Sequence, residues 1–443
     1  MRRRDFLRQT VTTGIAVAGS SALLQRRARA VGPNDKVSVA VVGVRGRGNN
    51  LLNTFADLPD VTVKYVCDID QSVLNNRTAE LESRTGQRPE RIADYRRALD
   101  DADIDALVLG TPDHWHALPT IHGAQAGKDV YVEKPDGHNL IEGRTMVAAA
   151  KKYGRIVQLG TQSRSSPHML RAIEFIRGGA LGRVHWAKAW ESGRQGSIGN
   201  PPDSEPPEGV DYNTWLGPAP KRAFNPMRYH GNWRWFFDYG TGDLGNDGVH
   251  RLDYARWAFD EARRAAGQQP LPDFPTKVSA TGGKHYFDDA QEWPDNLLAS
   301  FEYPDGLLNY ELRIWSGYPL HGEPEGAAVY GENGYLVLGN RRWRAFGLRD
   351  EPLAEDRGDY ADSVHAQNFI DCMRTRARPA ADLETVGHPA SVLCHLGNAA
   401  WRAGRTLEFD AETYTFKGDD EANLYRTRPE YRAPWVLPDI ASL

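Results

Sequence analysis

The chain has 443 residues, 40% of them hydrophobic and 26% charged, with a formal net charge of −5. That balance fits a globular protein of two or three domains. No run of eighteen apolar residues occurs, so no segment must span a membrane, and the acidic surplus offers no electrostatic reason to bind nucleic acid.

Residues 1–30 read as a targeting segment. Arg3-Arg4-Asp5-Phe6-Leu7-Arg8 is a twin-arginine pattern, residues 11–24 are mildly apolar, and Ala28-Arg29-Ala30 offers a cleavage site. The order of these features predicts a bacterial protein exported, already folded, to the periplasm. Without the seven Arg and one Asp of that segment the net charge moves from −5 to −11. Cys67, Cys372 and Cys394 are too few and too scattered for a disulfide framework, and their spacing fits no zinc site. Buried free thiols and no metal are predicted.

Residues 36–42 (KVSVAVV) form a β-branched apolar run that breaks into Gly43-Val44-Arg45-Gly46-Arg47-Gly48. A helix follows over about 50–58, then a second strand over 61–67 that ends in Asp68. Strand, glycine turn, helix, strand and acid in that order predict a dinucleotide site. Glycines let the backbone approach a pyrophosphate, the helix start supplies N–H donors, and the acid accepts from a ribose. Asp68 favours NAD and repels a 2′-phosphate, whereas Arg45 and Arg47 argue for NADP. The turn reads GxxGxG, with Arg45 where the commoner fingerprint has its second glycine.

A third strand over 105–110 leads into Thr111-Pro112-Asp113-His114-Trp115-His116, and a helix runs on to Ala126, ended by Gly127. The next strand, 130–132, is closed by Glu133-Lys134-Pro135. Proline removes a donor and stops the strand, so Lys134 is held at a sharp exit from the sheet. A helix over 140–153 and a strand over 155–159 complete a doubly wound parallel sheet. Thr111, Pro112, His116, Glu133 and Lys134 then belong to strand C-terminal ends, beside the nicotinamide end of the cofactor. His116 is read either as a cleft residue or as packing within its helix.

After residue 160 the pattern changes. A helix over 167–177 and an alternating strand over 184–191 precede a long irregular stretch, 193–242, rich in Pro, Gly and aromatic residues. Structureless stretches of that length are functional or disordered, and Tyr229, Trp233 and their aromatic neighbours argue against disorder. Flat apolar faces interleaved with Arg234 and Asn suit a sugar cleft; about half of these aromatics pack a domain seam or an oligomer interface instead. Gly240 to His250 (GTGDLGNDGVH) delivers Asn246, Asp247 and His250 to a helix start, and His250 is the natural proton acceptor near pH 7. Strand-like runs from about 275 to 338 predict an open antiparallel sheet. Helices over about 363–374 and 390–403 precede an extended tail.

The glycine turn, Thr111-Pro112 with His116, Glu133-Lys134-Pro135, and Gly248-Val249-His250 with Asp253 together resemble the glucose–fructose oxidoreductase / inositol dehydrogenase (Gfo/Idh/MocA) family. The resemblance implies a Rossmann domain over 31–160 and an α+β substrate domain with a large open sheet over 161–360, with helices and tail over 361–443 packing back on both. It implies a homo-oligomer, dimer or tetramer, formed through that sheet. It implies NAD(P)-dependent hydride transfer at a sugar, polyol or glycoside CH–OH group, with Lys134 bonded to the reacting hydroxyl and His250 taking its proton. Arg164, Tyr229, Trp233, Arg234, Asn246 and His250 form the expected substrate wall.

One departure stands out. Many family dehydrogenases carry Asp at the position of Asn246, and an amide cannot accept a proton as a carboxylate does. Either His250 acts with Lys134 alone or Asp247 substitutes. Two alternatives follow: an NAD-dependent glycoside hydrolase working through transient C3 oxidation and elimination, and a non-catalytic sugar or nucleotide binder. Export of a folded protein to a compartment without free NAD predicts a tightly bound cofactor.

Overall fold

The computed structural model describes residues 36–443, and the segment read as an export signal lies outside them. The first sheet takes β1 (Val37–Val42), β2 (Val61–Cys67), β3 (Glu90–Ile92), β4 (Ala106–Leu109), β5 (Asp129–Val132) and β6 (Val157–Leu159). Their spatial order is β3-β2-β1-β4-β5-β6, and every pairing is parallel. Helices α1 (Arg47–Ala56), α2 (Gln71–Thr85), α3 (Arg96–Asp100), α4 (Ala117–Gln125) and α5 (Leu140–Tyr153) alternate with the strands. β4 and β5 are buried along their whole length, because a strand covered on both faces needs apolar residues on both. Strand order reverses between β1 and β4, and the ligand crevice of such a sheet opens beyond the carboxyl ends there. Gly43, Asp68, Thr111 and Lys134 follow those ends.

The second sheet is larger and mostly antiparallel. Helix α6 (Pro167–Arg177) leads to β7 (Val184–Glu191), and the short α7 (Tyr212–Leu216) lies in the irregular stretch before α8 (Val249–Ala265). Strands β8 (Lys277–Gly283), β9 (Asn296–Tyr303), β10 (Gly306–Arg313), β11 (Glu325–Gly331), β12 (Gly334–Gly339), β13 (Arg342–Gly347) and β14 (Pro352–Arg357) follow. After α9 (Asp362–Thr375) and α10 (His388–Ala403), β15 (Leu407–Asp410) and β16 (Thr415–Phe416) finish a ten-stranded order, β14-β13-β12-β11-β7-β10-β9-β8-β15-β16. Only β7 with β10 is parallel among the pairings described. One face packs on helices and the other is open, so β9 buries Leu297, Ala299, Phe301 and Tyr303 and turns the residues between them outward.

The C-terminal helices tie the two sheets together. Phe369 of α9 meets Phe55 of α1 and Tyr131 of β5, ring centroids 6.3 and 6.0 Å apart. His388 at the start of α10 bonds Asp136, just beyond Lys134-Pro135, at 2.6 Å. Farther along the same helix, Val392 and Leu396 enter the second-domain core.

Sequence reading passes over α2, β3 and α3 and the hairpin β13–β14. In α2 only Leu74, Thr78 and Leu81 are buried, too narrow a stripe to signal a helix. β14 (PLAEDR) is an edge strand with no buried residue, so it carries no alternation. β5 is consequently the fifth strand in chain order, where pattern alone makes it the fourth.

Candidate active site

The glycine turn is forced by space. A Cβ on Gly48 would lie 1.7 Å from Gly43 O, and one on Gly43 would lie 3.0 Å from Thr111. Gly46 has φ 51°, a left-handed conformation suited to glycine. It opens α1 without any side-chain cap, so no side chain stands between the helix start and an anion, while Gly48 N and Asn49 N turn back to Arg45 O and Gly46 O at 3.0 and 3.1 Å. Asp68 Oδ2 accepts from Val44 N at 2.9 Å and Oδ1 from Asp70 N at 3.0 Å. Burial pushes the Asp68 carboxyl up in spite of those bonds. A turn with no room for side chains, an uncapped helix start and an acid after β2 fit a dinucleotide. Asp68→Asn should keep a backbone acceptor but remove the charge that repels a 2′-phosphate. The NADP-to-NAD affinity ratio should then rise by about tenfold or more, as read by titrating both cofactors.

A cleft of about 440 Å³ runs from this turn to the second domain. Gly43, Arg45, Gly46, Arg47, Asp68, Thr111, Pro112, Glu133 and Lys134 line it from the first domain. Tyr229, Trp233, Arg234 and Asn246 line it from the second. Arg47 is committed within the protein: Nε donates to Glu133 Oε1 at 2.8 Å, and its two terminal nitrogens grip Asp362 at 2.9 and 3.0 Å. Glu133 is fixed from behind, since a Cβ on Gly160 would meet its carboxylate at 2.7 Å.

At the far end Lys134 Nζ donates to Asn246 O at 2.6 Å and to Asn246 Oδ1 at 3.1 Å. Asn246 lies in a five-residue π turn, Leu244–Gly248, ahead of α8; such turns recur at functional sites. Glycines let this turn pack tightly, for a Cβ on Gly245 would fall 1.9 Å from Thr241 Oγ1. Asn246 Nδ2 donates to Asp247 Oδ2 at 2.9 Å. His250 does not line the cleft. It is 8% exposed, and its Nδ1 has no hydrogen-bond partner among the described residues. Burial, then the Lys134 charge, pushes its pKa well below the usual value, so the ring is neutral.

Four other residues fall away from the positions expected for them. His116 bonds Pro135 O at 2.6 Å and Thr111 O at 2.8 Å, so its ring staples the ends of β4 and β5 together behind the cleft. Arg164 forms a forked ion pair with Asp253, 2.7 Å from Nη2 to Oδ1, beneath Trp257 and outside the cleft. Gly48 underlies the turn without lining the cavity. Tyr229 lines the cleft but turns its hydroxyl to Asp70, 3.4 Å away.

Sequence reading missed the other wall. Tyr95, Asp113, Trp115, His230 and Trp435 also line the cleft, beside Trp215, one of the aromatics of the irregular stretch expected there. Asp113 is buried, accepts from Thr241 Oγ1 at 2.7 Å, and has its pKa raised by burial. Asp70 is reached by His230 Nε2 at 3.1 Å. Nothing local marks Trp435 or His230, because distant parts of the chain bring them in.

Residues 37–161 match the oxidoreductase family's NAD-binding Rossmann fold, and residues 180–272 and 353–437 match its C-terminal alpha/beta domain. The chain belongs to the Gfo/Idh/MocA oxidoreductase family. A glycosyl hydrolase family 109 protein of Shewanella pealeana is 26% identical over 205 residues, 42% of this chain and 44% of that one. The chain spans about half the length of the curated relatives it matches. An aldose-aldose oxidoreductase from Caulobacter crescentus, complexed with glycerol, superposes with a TM-score of 0.62 at 21% identity, over 84% of this chain and 100% of that one. The WlbA dehydrogenase from Bordetella pertussis, in complex with NADH and UDP-GlcNAcA, gives 0.62 at 19% identity, over 85% and 99%. At these identities the structures share the fold.

Proposed function

We propose that this protein is an NAD-dependent oxidoreductase acting on a CH–OH group of a sugar, polyol or glycoside. The observation that carries this is Lys134, anchored by Asn246 in the same cleft as the glycine turn. An ammonium has three donors; two go to Asn246, and the third is left for a substrate oxygen. Bound NAD supplies the hydride acceptor. Lys134 orients the hydroxyl, and the neutral His250, close enough to feel the Lys134 charge, is the candidate proton acceptor. Trp233 and Arg234 offer an apolar face and a polar tip for the sugar. NAD is preferred over NADP because Asp68 lines the ribose end and Arg47 is spent on Glu133 and Asp362.

A second reading, redox-neutral glycoside hydrolysis through transient C3 oxidation, is favoured by how closely the cleft is roofed and by the family 109 match. Incubating cofactor-loaded protein with free sugars, polyols and aryl glycosides separates the two. Net NADH from a free sugar or polyol supports oxidoreduction. Aglycone release without net NADH replaces it with hydrolysis, and no turnover of any of these sinks both.

The reading extends to assembly and location. The open sheet face carries a ladder of stacked rings, Trp186 on Tyr330 at 4.7 Å and Tyr335 on Phe346 at 5.0 Å, with Trp186 41% exposed. A second copy is the occupant proposed for it. Trp186→Glu should convert the oligomer to monomer in sedimentation at micromolar concentration, and an unchanged mass would exclude this face. Arg3-Arg4 and the residues after them support export by the twin-arginine route to the periplasm.

A further inference from the structure

Asn246 stands where an acid would be expected, yet its surroundings are rich in buried carboxyl groups. Its Nδ2 donates to Asp247 Oδ2 at 2.9 Å and to Asp243 Oδ1 at 3.4 Å. An amide whose nitrogen faces two carboxylates must turn its oxygen the other way. That oxygen accepts from Lys134 Nζ at 3.1 Å. Asp247 and Asp243 together therefore fix, through Asn246, which side-chain atom Lys134 meets.

Asp243 is 1% exposed, and its Oδ2 has no partner among the described residues. Gln195, from the stretch after β7, reaches Oδ1 at 3.5 Å. Glu191 on β7, Tyr310 on β10, Arg234 from the irregular stretch and Asp247 on its own turn complete the charged and titratable surroundings. Arg251 of α8 lies next to Glu191, Nε 3.5 Å from Oε2, and is shared with Glu325 of β11. Two carboxylates pressed on one half-buried amide, one of them buried, do not both ionise freely.

Resting on the oxidoreductase reading, we propose that Asp243 is the positioning acid of this site. It gains and loses a proton beside Asp247, with the Asn246 amide between them, and so sets how firmly the amide is held with its oxygen toward Lys134. Burial, then the Asp247 charge, pushes the Asp243 carboxyl up to about 7, so the proton is exchanged near neutral pH. Above that pH the Asp243 anion joins Asp247 in holding the amide nitrogen. Below it one negative charge is lost and the hold slackens. An acid at position 246 would act by contact; Asp243 acts through the amide.

The sign of its effect on stability follows. Native Asp243 holds its proton more tightly than an unfolded carboxyl does, so wild-type stability falls as pH rises from 3.8 to about 7. Asp243→Asn lacks that penalty. Its melting temperature should exceed wild type at pH 8, with the difference shrinking on acidification.

The test uses the full chain with NAD bound, as wild type, Asp243→Asn and Asp247→Asn. Difference infrared titration should show a protonated carboxyl that ionises near pH 7 in wild type. Asp243→Asn should lack that band, and Asp247→Asn should move its transition to lower pH by removing the like charge. This readout needs no substrate, so a wild type that turns over no sugar sinks the oxidoreductase reading and leaves this measurement intact. In turnover, Asp243→Asn should lose the acid limb of kcat/KM near pH 7 and fall about tenfold or more, with NAD affinity within about twofold of wild type. Asn246→Asp in the Asp243→Asn background should restore rate. The proposal is overturned if Asp243→Asn retains the infrared band, if it keeps the wild-type rate and acid limb, or if it melts below wild type at pH 8.

Discussion

Lys134→Ala is expected to lower kcat by about 10²–10⁴-fold while NAD binding persists. The asymmetry follows from where the side chain sits. Among the described residues its Nζ bonds only Asn246, 2.6 and 3.1 Å away, across the seam between the two domains. The glycine turn and Asp68, by contrast, are built from the first domain's own backbone. Truncation removes the proposed donor to the reacting oxygen and leaves the Asn246 carbonyls without that partner, so chemistry should suffer and the cradle should not. Lys134→Arg should fare little better, because a planar fork cannot reproduce a point donor held on two oxygens of one residue. Single-turnover kinetics report the loss, and quenching of tryptophan fluorescence reports NAD affinity. A variant within tenfold of wild type would show that Lys134 is a bystander.

Protein prepared without added nucleotide should carry NAD, detectable by mass spectrometry after denaturation. The cleft is roofed by the irregular stretch of the second domain, which is stitched to the first. Gln71 N donates to Gly209 O at 3.0 Å and Asp211 N to Ile69 O at 3.0 Å, a strand-like pair that holds Asp70 against Val210. The tail adds a second tie: Trp435 packs edge-on to Trp115 at 4.8 Å, with Arg96 over its ring at 4.5 Å. Arg432 then clasps Asn213 Oδ1 at 2.6 Å and Gly217 O at 3.0 Å. These contacts hold the roof over the cleft, so cofactor release is expected to depend on their opening as well as on contact strength.

That roof should loosen in acid. Burial, then the Arg45 charge, lowers the His230 pKa to about 4, and its Nε2 sits 3.1 Å from Asp70. A histidine freed by opening returns toward 6.5, so protonation favours the open roof as pH falls from 6.5 toward 4. The opening equilibrium should shift by roughly two orders of magnitude across that window. NAD dissociation should therefore be much faster at pH 5 than at pH 7.5, and His230→Gln should flatten the difference. Equal rates in wild type at the two pH values would remove His230 from the mechanism, and Trp435→Ala without faster release would remove the tail.

Much of the architecture was legible because its causes are local. β1, β4 and β5 are buried on both faces, so each must be an apolar run, and the glycines after β1 mark a turn with no room for a Cβ. The fit of Asp68 to the ribose end follows from its place after β2. α2 was illegible for the opposite reason: a surface helix with three buried residues has no stripe to read. His116 shows how residue type misleads, since an imidazole at a strand end serves equally well as a staple between backbone carbonyls.

By itself, then, the sequence determined the two-domain oxidoreductase fold, the dinucleotide cradle and a lysine at the exit of β5, because strand periodicity, glycine geometry and proline act over a few residues. Only the tertiary structure decided what surrounds that lysine. A π turn that no spacing announces brings Asn246 and Asp247 onto Asp243 just ahead of it, His250 is withdrawn and kept neutral by burial, and Trp435 is brought onto Trp115 from the far end of the chain. Charge and solvation depend on neighbours distant in sequence, and those neighbours exist only once the two sheets have packed together.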